Sequence, residues 1–190
     1  MDQQPDLRQA AREAHFVPML HRHPAGVFAA VLITCFRADG GVLMLRRAGP
    51  GRNWDMPHGP IPSGRGTPAR LGPLASDVLY ELSGVRPAGR PVLYGMIDWG
   101  PTATRAGWGW TACLMAEVGS VDPLPPDSWA GSRAFLSPER VLDQLPADSW
   151  GMLRRDCLVF ALTAFDETRD FWLLQPLDPD ALAGTDTLLE

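Results

Sequence analysis

Asp77 and Glu81 stand four residues apart in one segment, and His58 lies in the Gly/Pro-rich loop that precedes it. Carboxylates at that spacing share one helix face, where they can hold a single Mg²⁺ or Mn²⁺ with waters completing an octahedron. A histidine beside a phosphate can donate a proton or a hydrogen bond, whereas a histidine on a solvated loop does neither; both readings of His58 stand. The charge around these residues is basic. From Arg46 to Arg90 there are seven arginines against Asp55, Asp77 and Glu81, a balance of +4 in a chain of net charge −5, so the remainder carries −9. A basic patch on an acidic protein suits a small anionic metabolite better than a long polyanion, which argues against nucleic acid.

The elements that must position these groups are a loop and a helix. Pro57, Gly59, Gly64 and Gly66 lead into a helix expected to open at Pro73 and close at Gly84. Unpaired N–H groups and the helix dipole make such an N-terminus a natural anion site. Guanidinium reads phosphate bidentately, so Arg46, Arg52 and Arg65 are candidate substrate-binding residues, with Gly59 allowing close backbone approach. Trp54 and Trp99 border the same region and are candidates for stacking on a base or other flat group, while Trp108 or Trp110 is expected in the core. Asp98 and Glu117 are weaker candidate carboxylates, and His21 and His23 lack a nearby acid. With Leu74, Ala75, Val78, Leu79 and Leu82, the helix is apolar over more than one face.

The stretch from 53 to 85 resembles the signature of the Nudix superfamily, G-x5-E-x7-R-E-U-x-E-E-x-G-U with U aliphatic. Trp54, Pro57 and Gly59 match its W-x-L-P-G-G opening with His58 in place of the first glycine, and Gly64 falls on a later loop glycine. Leu79, Glu81, Gly84 and Val85 match the closing positions. Arg65 stands where the loop glutamate belongs, Asp77 and Val78 replace the Arg-Glu pair, and Leu82 replaces the second paired glutamate. Arg65 and Gly84 are 19 positions apart, four more than the pattern allows, and the surplus is placed at residues 66–72.

The resemblance implies an α/β (α+β) fold, an α/β/α sandwich with a mixed sheet. It also implies cleavage of a phosphoanhydride in a diphosphate-containing metabolite, with Glu81 as principal metal ligand and Asp77 as helper. With Leu79 and Ala75 toward the core, Val78 and Leu82 face the cleft where metal carboxylates belong; the alternative is a rotated helix that leaves both as ordinary core. Two functions follow. One is a Mg²⁺- or Mn²⁺-dependent hydrolase; the other binds such a metabolite, or runs a metal-free step on an apolar substrate. The lost carboxylates favour the second, since removing one preorganised charge-stabilising group lowers a rate by about a hundredfold.

The 190 residues, 45% of them hydrophobic, are enough for one domain with a real core. No apolar run is long enough to span a membrane, and the polar N-terminus lacks the pattern of a secretory signal, so a cytoplasmic protein is expected. A Trp-rich edge would suit a homodimer. The boundaries expected are a helical extension over 1–24, a domain over 25–167 and a tail over 168–190. Within them, residues 2–16 read as an amphipathic helix, and 27–36 and 42–45 as strands joined at Asp39-Gly40. Residues 92–99 and 108–118 read as further strands flanking a loop at 100–107. A strand at 132–136 follows, then helices at 138–145 and 149–165, the last capped by Ser149. Cys35, Cys113 and Cys157 sit singly in apolar runs and are expected to be buried and reduced.

Overall fold

Phe28–Phe36 is apolar on both of its faces, and a strand of that composition must be covered from both sides. The computed structural model, which describes residues 12–18, 28–49, 53–105 and 109–174, places it accordingly. The strands in chain order are β1 (His15–Pro18), β2 (Phe28–Phe36), β3 (Val42–Arg47), β4 (Trp54–Asp55), β5 (His58–Pro60), β6 (Val85–Pro87), β7 (Val92–Asp98), β8 (Trp110–Val121) and β9 (Ala130–Leu136). The helices are α1 (Pro68–Ser83), α2 (Gly100–Arg105), α3 (Pro138–Gln144) and α4 (Ser149–Leu174). The main sheet runs β1-β7-β8-β2-β3-β4, with β5 on β2, β6 on β8 and β9 on β3. β2 and β8 are parallel while their other pairings are antiparallel, so the sheet is mixed.

Period-two alternation splits the apolar residues between two layers. Val31, Ile33, Cys35, Leu43 and Leu45 pack with Leu71, Ala75 and Leu79 of α1. Leu32, Phe36, Val42 and Met44 face the opposite way, onto Val141 of α3 and Leu153, Cys157, Leu158 and Ala161 of α4. The result is the expected α/β/α arrangement around a mixed sheet.

Helix α1 begins at Pro68, behind Thr67, rather than at Pro73, which lies inside it. An interior proline has no N–H for the carbonyl four residues earlier. Here that carbonyl belongs to Ala69, and the Arg90 guanidinium donates to it at 2.6 Å. Gly72 makes room for the arm, because a Cβ there would stand 2.5 Å from Arg90 Nε. At the other end Gly84, at φ 67°, takes the left-handed cap and returns its N–H to Tyr80 at 2.7 Å. Arg133 donates to the Ser83 carbonyl beside it.

Other expectations need correction. His15 and Phe16, read as the end of a helix, belong to β1, which pairs antiparallel with β7; residues 2–11 lie outside the described ones. Gly95 opens a gap filled by the Phe16 ring, which also meets Tyr94 and Phe160. The loop expected at 100–107 begins as α2, whose first N–H, on Gly100, donates to Asp98 at 2.9 Å; Asp98 is therefore a helix cap. The last helix runs on to Leu174, and its cap is Asp148, whose carboxylate accepts from Gly151 N–H at 2.8 Å, not Ser149. The Asp39-Gly40 turn is present, with Gly40 at φ 84°, but β3 leaves β2 after a single register pair and continues beside β9.

All three cysteines are free and buried. Burial, and secondarily Glu117, pushes the Cys35 thiol up to about 12, and burial raises Cys113, whose Sγ lies 3.7 Å from that of Cys157. Thiolate is the reactive form. An aromatic disulfide reagent at pH 8 is therefore expected to label these three thiols only after unfolding; fast labelling of the native protein would contradict their placement. Arg90→Ala should destabilise the fold by about 1 kcal/mol in urea unfolding. The loss should shrink in a Pro73→Ala background, where residue 73 regains an N–H to donate to the Ala69 carbonyl.

Candidate functional site

β2, β5, β7 and β8 converge around a largely apolar cavity of ≈ 330 Å³. Its volume is in the range that holds a small metabolite. Its floor is Ala30 to Leu32 of β2 with Gly59 and Pro60 of β5, and its aromatic walls are Trp99, Trp129 and Trp150. Arg47, His58, Thr111 and Arg154 supply the polar side chains.

Each wall has an identifiable support. Trp99, at the end of β7, is buried; its indole N–H donates to Thr111 Oγ1 at 3.0 Å, and its ring meets Trp150 edge-on at 4.8 Å. Trp129 sits in a loop pinned to the end of α1, where Ser128 Oγ donates to the Leu82 carbonyl at 2.5 Å. The Arg47 guanidinium lies 4.9 Å from the Trp129 ring centroid, and the His58 ring 5.7 Å from it. Arg154 lies over Trp150 at 4.7 Å and forks onto Asp55, its Nη2 reaching Oδ2 at 2.9 Å and its Nε bonding Oδ1. The Arg154 side chain is only 9% exposed, so this pair ties α4 to the end of β4.

The sequence-derived candidates divide among several places. His58, Gly59 and Trp99 line the cavity. Arg46 does not: successive strand residues point to opposite faces, so Arg46 covers Trp54 at 4.9 Å while Arg47 takes the cavity side. Trp54 borders an adjoining cleft of ≈ 290 Å³ that shares Trp150 and Arg154. Arg65 is exposed in the loop before α1, and that loop folds over the start of β2, with Phe28 N–H donating to Gly66 at 2.9 Å. The cavity thus lies off the α1 N-terminus, where an anion had been expected. Arg52, Trp108, His21 and His23 fall outside the described residues.

Asp77 and Glu81 are exposed. Asp77 lines a separate groove with Ser76, Tyr80, Arg86 and Arg90. Val78 turns toward β5, where a Cβ on Gly59 would stand 3.0 Å from its Cγ1, and Val78 and Leu82 pack onto the core cluster under α1. Gly59 is the opening that lets the helix approach. Among the described residues no three His, Cys, Asp or Glu side chains gather as a metal cage would require. The residues present do not fit a resident Mg²⁺ or Mn²⁺ centre at this helix.

Sequence reasoning missed Arg47, Thr111, Trp129, Trp150 and Arg154. The Asp-Ser-Trp triplets at 127–129 and 148–150 were the available signal, since each sets a tryptophan one residue after a serine that begins or braces an element.

No protein-family model matches the sequence, and no curated protein matches it. Solved structures do. A Nudix hydrolase from Nitrosomonas europaea superposes with a TM-score of 0.53 at 17% identity over 71% of this chain and 88% of its own. The chain has the Nudix fold. The MutT protein of Methanosarcina mazei Go1 gives 0.48 at 18% identity, over 75% of this chain and 99% of that one. A C. elegans Ap4A hydrolase gives 0.46 at 13% identity, over 70% and 98%. Likeness at these identities is one of fold, and the chemistry has to be argued from this chain's own residues.

The Asp55–Arg154 pair gives the site a measurable signature. Asp55→Asn strands a nearly buried guanidinium and should cost about 3 kcal/mol in denaturant unfolding. Arg154→Met should cost less, and the double variant should recover part of the Asp55→Asn loss. Additive losses would mean the two groups do not support each other.

Proposed function

We propose that this Nudix-fold chain binds a small diphosphate-containing or otherwise anionic metabolite in the tryptophan cavity, with metal-dependent phosphoanhydride hydrolysis weakened or lost. The observation that carries the reading is the apolar pair Val78 and Leu82 packed onto the core cluster under α1, with Val78 close against Gly59. A carboxylate at either position would be needed to hold a metal against a diphosphate there, and Asp77 lies in a groove apart from the cavity. What stands instead is a set of aromatic walls and one exposed arginine, Arg47, already stacked on Trp129. Arg154 is committed to Asp55, so Arg47 is the better guanidinium for the ligand's anionic group. The flat, apolar part of the ligand lies on the tryptophans.

The test is phosphorus NMR on the protein with nucleoside, sugar and prenyl diphosphates, with and without Mg²⁺ or Mn²⁺, alongside tryptophan fluorescence. Expected are no metal-dependent cleavage, quenching on binding, and a loss of about tenfold in affinity in Arg47→Ala, in line with loss of a charge-assisted hydrogen bond. Glu81→Gln should bind as the wild type does. Cleavage that requires metal and disappears in Glu81→Gln would overturn the reading and return the protein to the hydrolases.

A further inference from the structure

We infer that His58 Nε2 is the cavity's hydrogen-bond acceptor, and that the ligand is a flat aromatic compound carrying both an anionic group and an N–H or O–H donor. This rests on the cavity being the binding site. His58 Nδ1 lies 2.9 Å from the Met56 carbonyl oxygen. A carbonyl only accepts, so Nδ1 bears the proton and the neutral ring keeps its lone pair on Nε2. Asp55 Oδ2, at 3.8 Å, is too far to take that proton. Its carboxylate is also occupied by Met56 N–H at 2.8 Å and by the fork of Arg154.

The other polar side chains of the wall are mostly donors. Arg47, Arg154, Trp129 and Trp150 have only donors to give. Thr111 Oγ1 accepts the indole N–H of Trp99 and keeps a second lone pair, but it is buried at 7% exposure whereas the His58 side chain is 35% exposed to the cavity's contents. A ligand therefore meets donors suited to an anion or carbonyl, and one imidazole nitrogen that rewards a donor. The His58 side chain is 35% exposed in the free protein, so a ligand that covers it without offering a donor removes its water and leaves that nitrogen unpaired, which is how a covered polar group creates discrimination. His58 sits where the Nudix pattern has glycine, so the acceptor is this chain's own addition.

The experiment uses matched probes differing by a single donor site, with binding read by calorimetry. One pair is indole-3-acetate and 1-methylindole-3-acetate; the other is adenosine 5′-monophosphate and its N6,N6-dimethyl analogue. The wild type should favour the donor-bearing member by about tenfold in at least one pair. His58→Phe should bind both members of that pair equally, and His58→Gln, which keeps an acceptor, should retain part of the preference. Long-range ¹H–¹⁵N correlation spectra of the free wild-type protein should show His58 protonated at Nδ1. Equal affinities in the wild type, a preference surviving in His58→Phe, or a ring protonated at Nε2 overturns the inference while leaving the cavity's role intact. Failure of every probe to bind overturns both.

Discussion

Asp55 and Arg154 are 99 residues apart in sequence, and their forked ion pair fixes the geometry of the whole cavity. One partner ends β4, where the loop to β5 begins, and the other comes from α4, which covers the sheet. Because the guanidinium is nearly buried, leaving it unpaired would be costly, so the loop and the helix are held in one relation. The consequences spread outward. Arg154 lies over Trp150, Trp150 meets Trp99, and Trp99 holds Thr111. On the other side Asp55 accepts the Met56 N–H, and Met56 offers its carbonyl to His58. One electrostatic contact thus orients three aromatic or imidazole rings without touching a ligand itself.

The second constraint is the approach of α1 to β5. Val78 sits so close to Gly59 that a Cβ there would stand 3.0 Å from its Cγ1. The contact is apolar and contributes to packing. The same chain invests its polar side chains elsewhere, on the far side of β5, where Arg47, His58 and Arg154 look into an aromatic cavity. Fold alone does not assign chemistry, so the function has to be argued from where this chain places those side chains.

Pro73 illustrates why local signals mislead about element boundaries. A proline followed by periodic apolar residues reads as a helix start because it is tolerated at the first turn. The helix nevertheless extends five residues further back, because Arg90 satisfies the carbonyl that the proline orphans and Gly72 leaves space for it. Within the helix segment only Gly72 bears on that rescue; the donor comes from the turn before β7.

The sequence by itself determined the mixed α/β architecture, the buried thiols, the turn at Asp39-Gly40 and the candidacy of His58, Gly59 and Trp99. The thiols and the turn follow from short-range rules, apolar residues whose burial does not depend on a particular partner and glycine at a positive φ, while the mixed architecture and the cleft bordered by His58, Gly59 and Trp99 follow from the resemblance of residues 53–85 to the Nudix signature. Tertiary structure alone decided that Arg47 and not Arg46 serves the cavity, that Asp77 opens on a groove of its own, and that Trp129, Trp150 and Arg154 join His58. Strand parity chooses between two adjacent arginines, helix phase chooses between Asp77 and Val78, and pairing across 99 residues assembles the rest. Those choices depend on which surfaces meet, a property of packed elements and not of the residues read one after another.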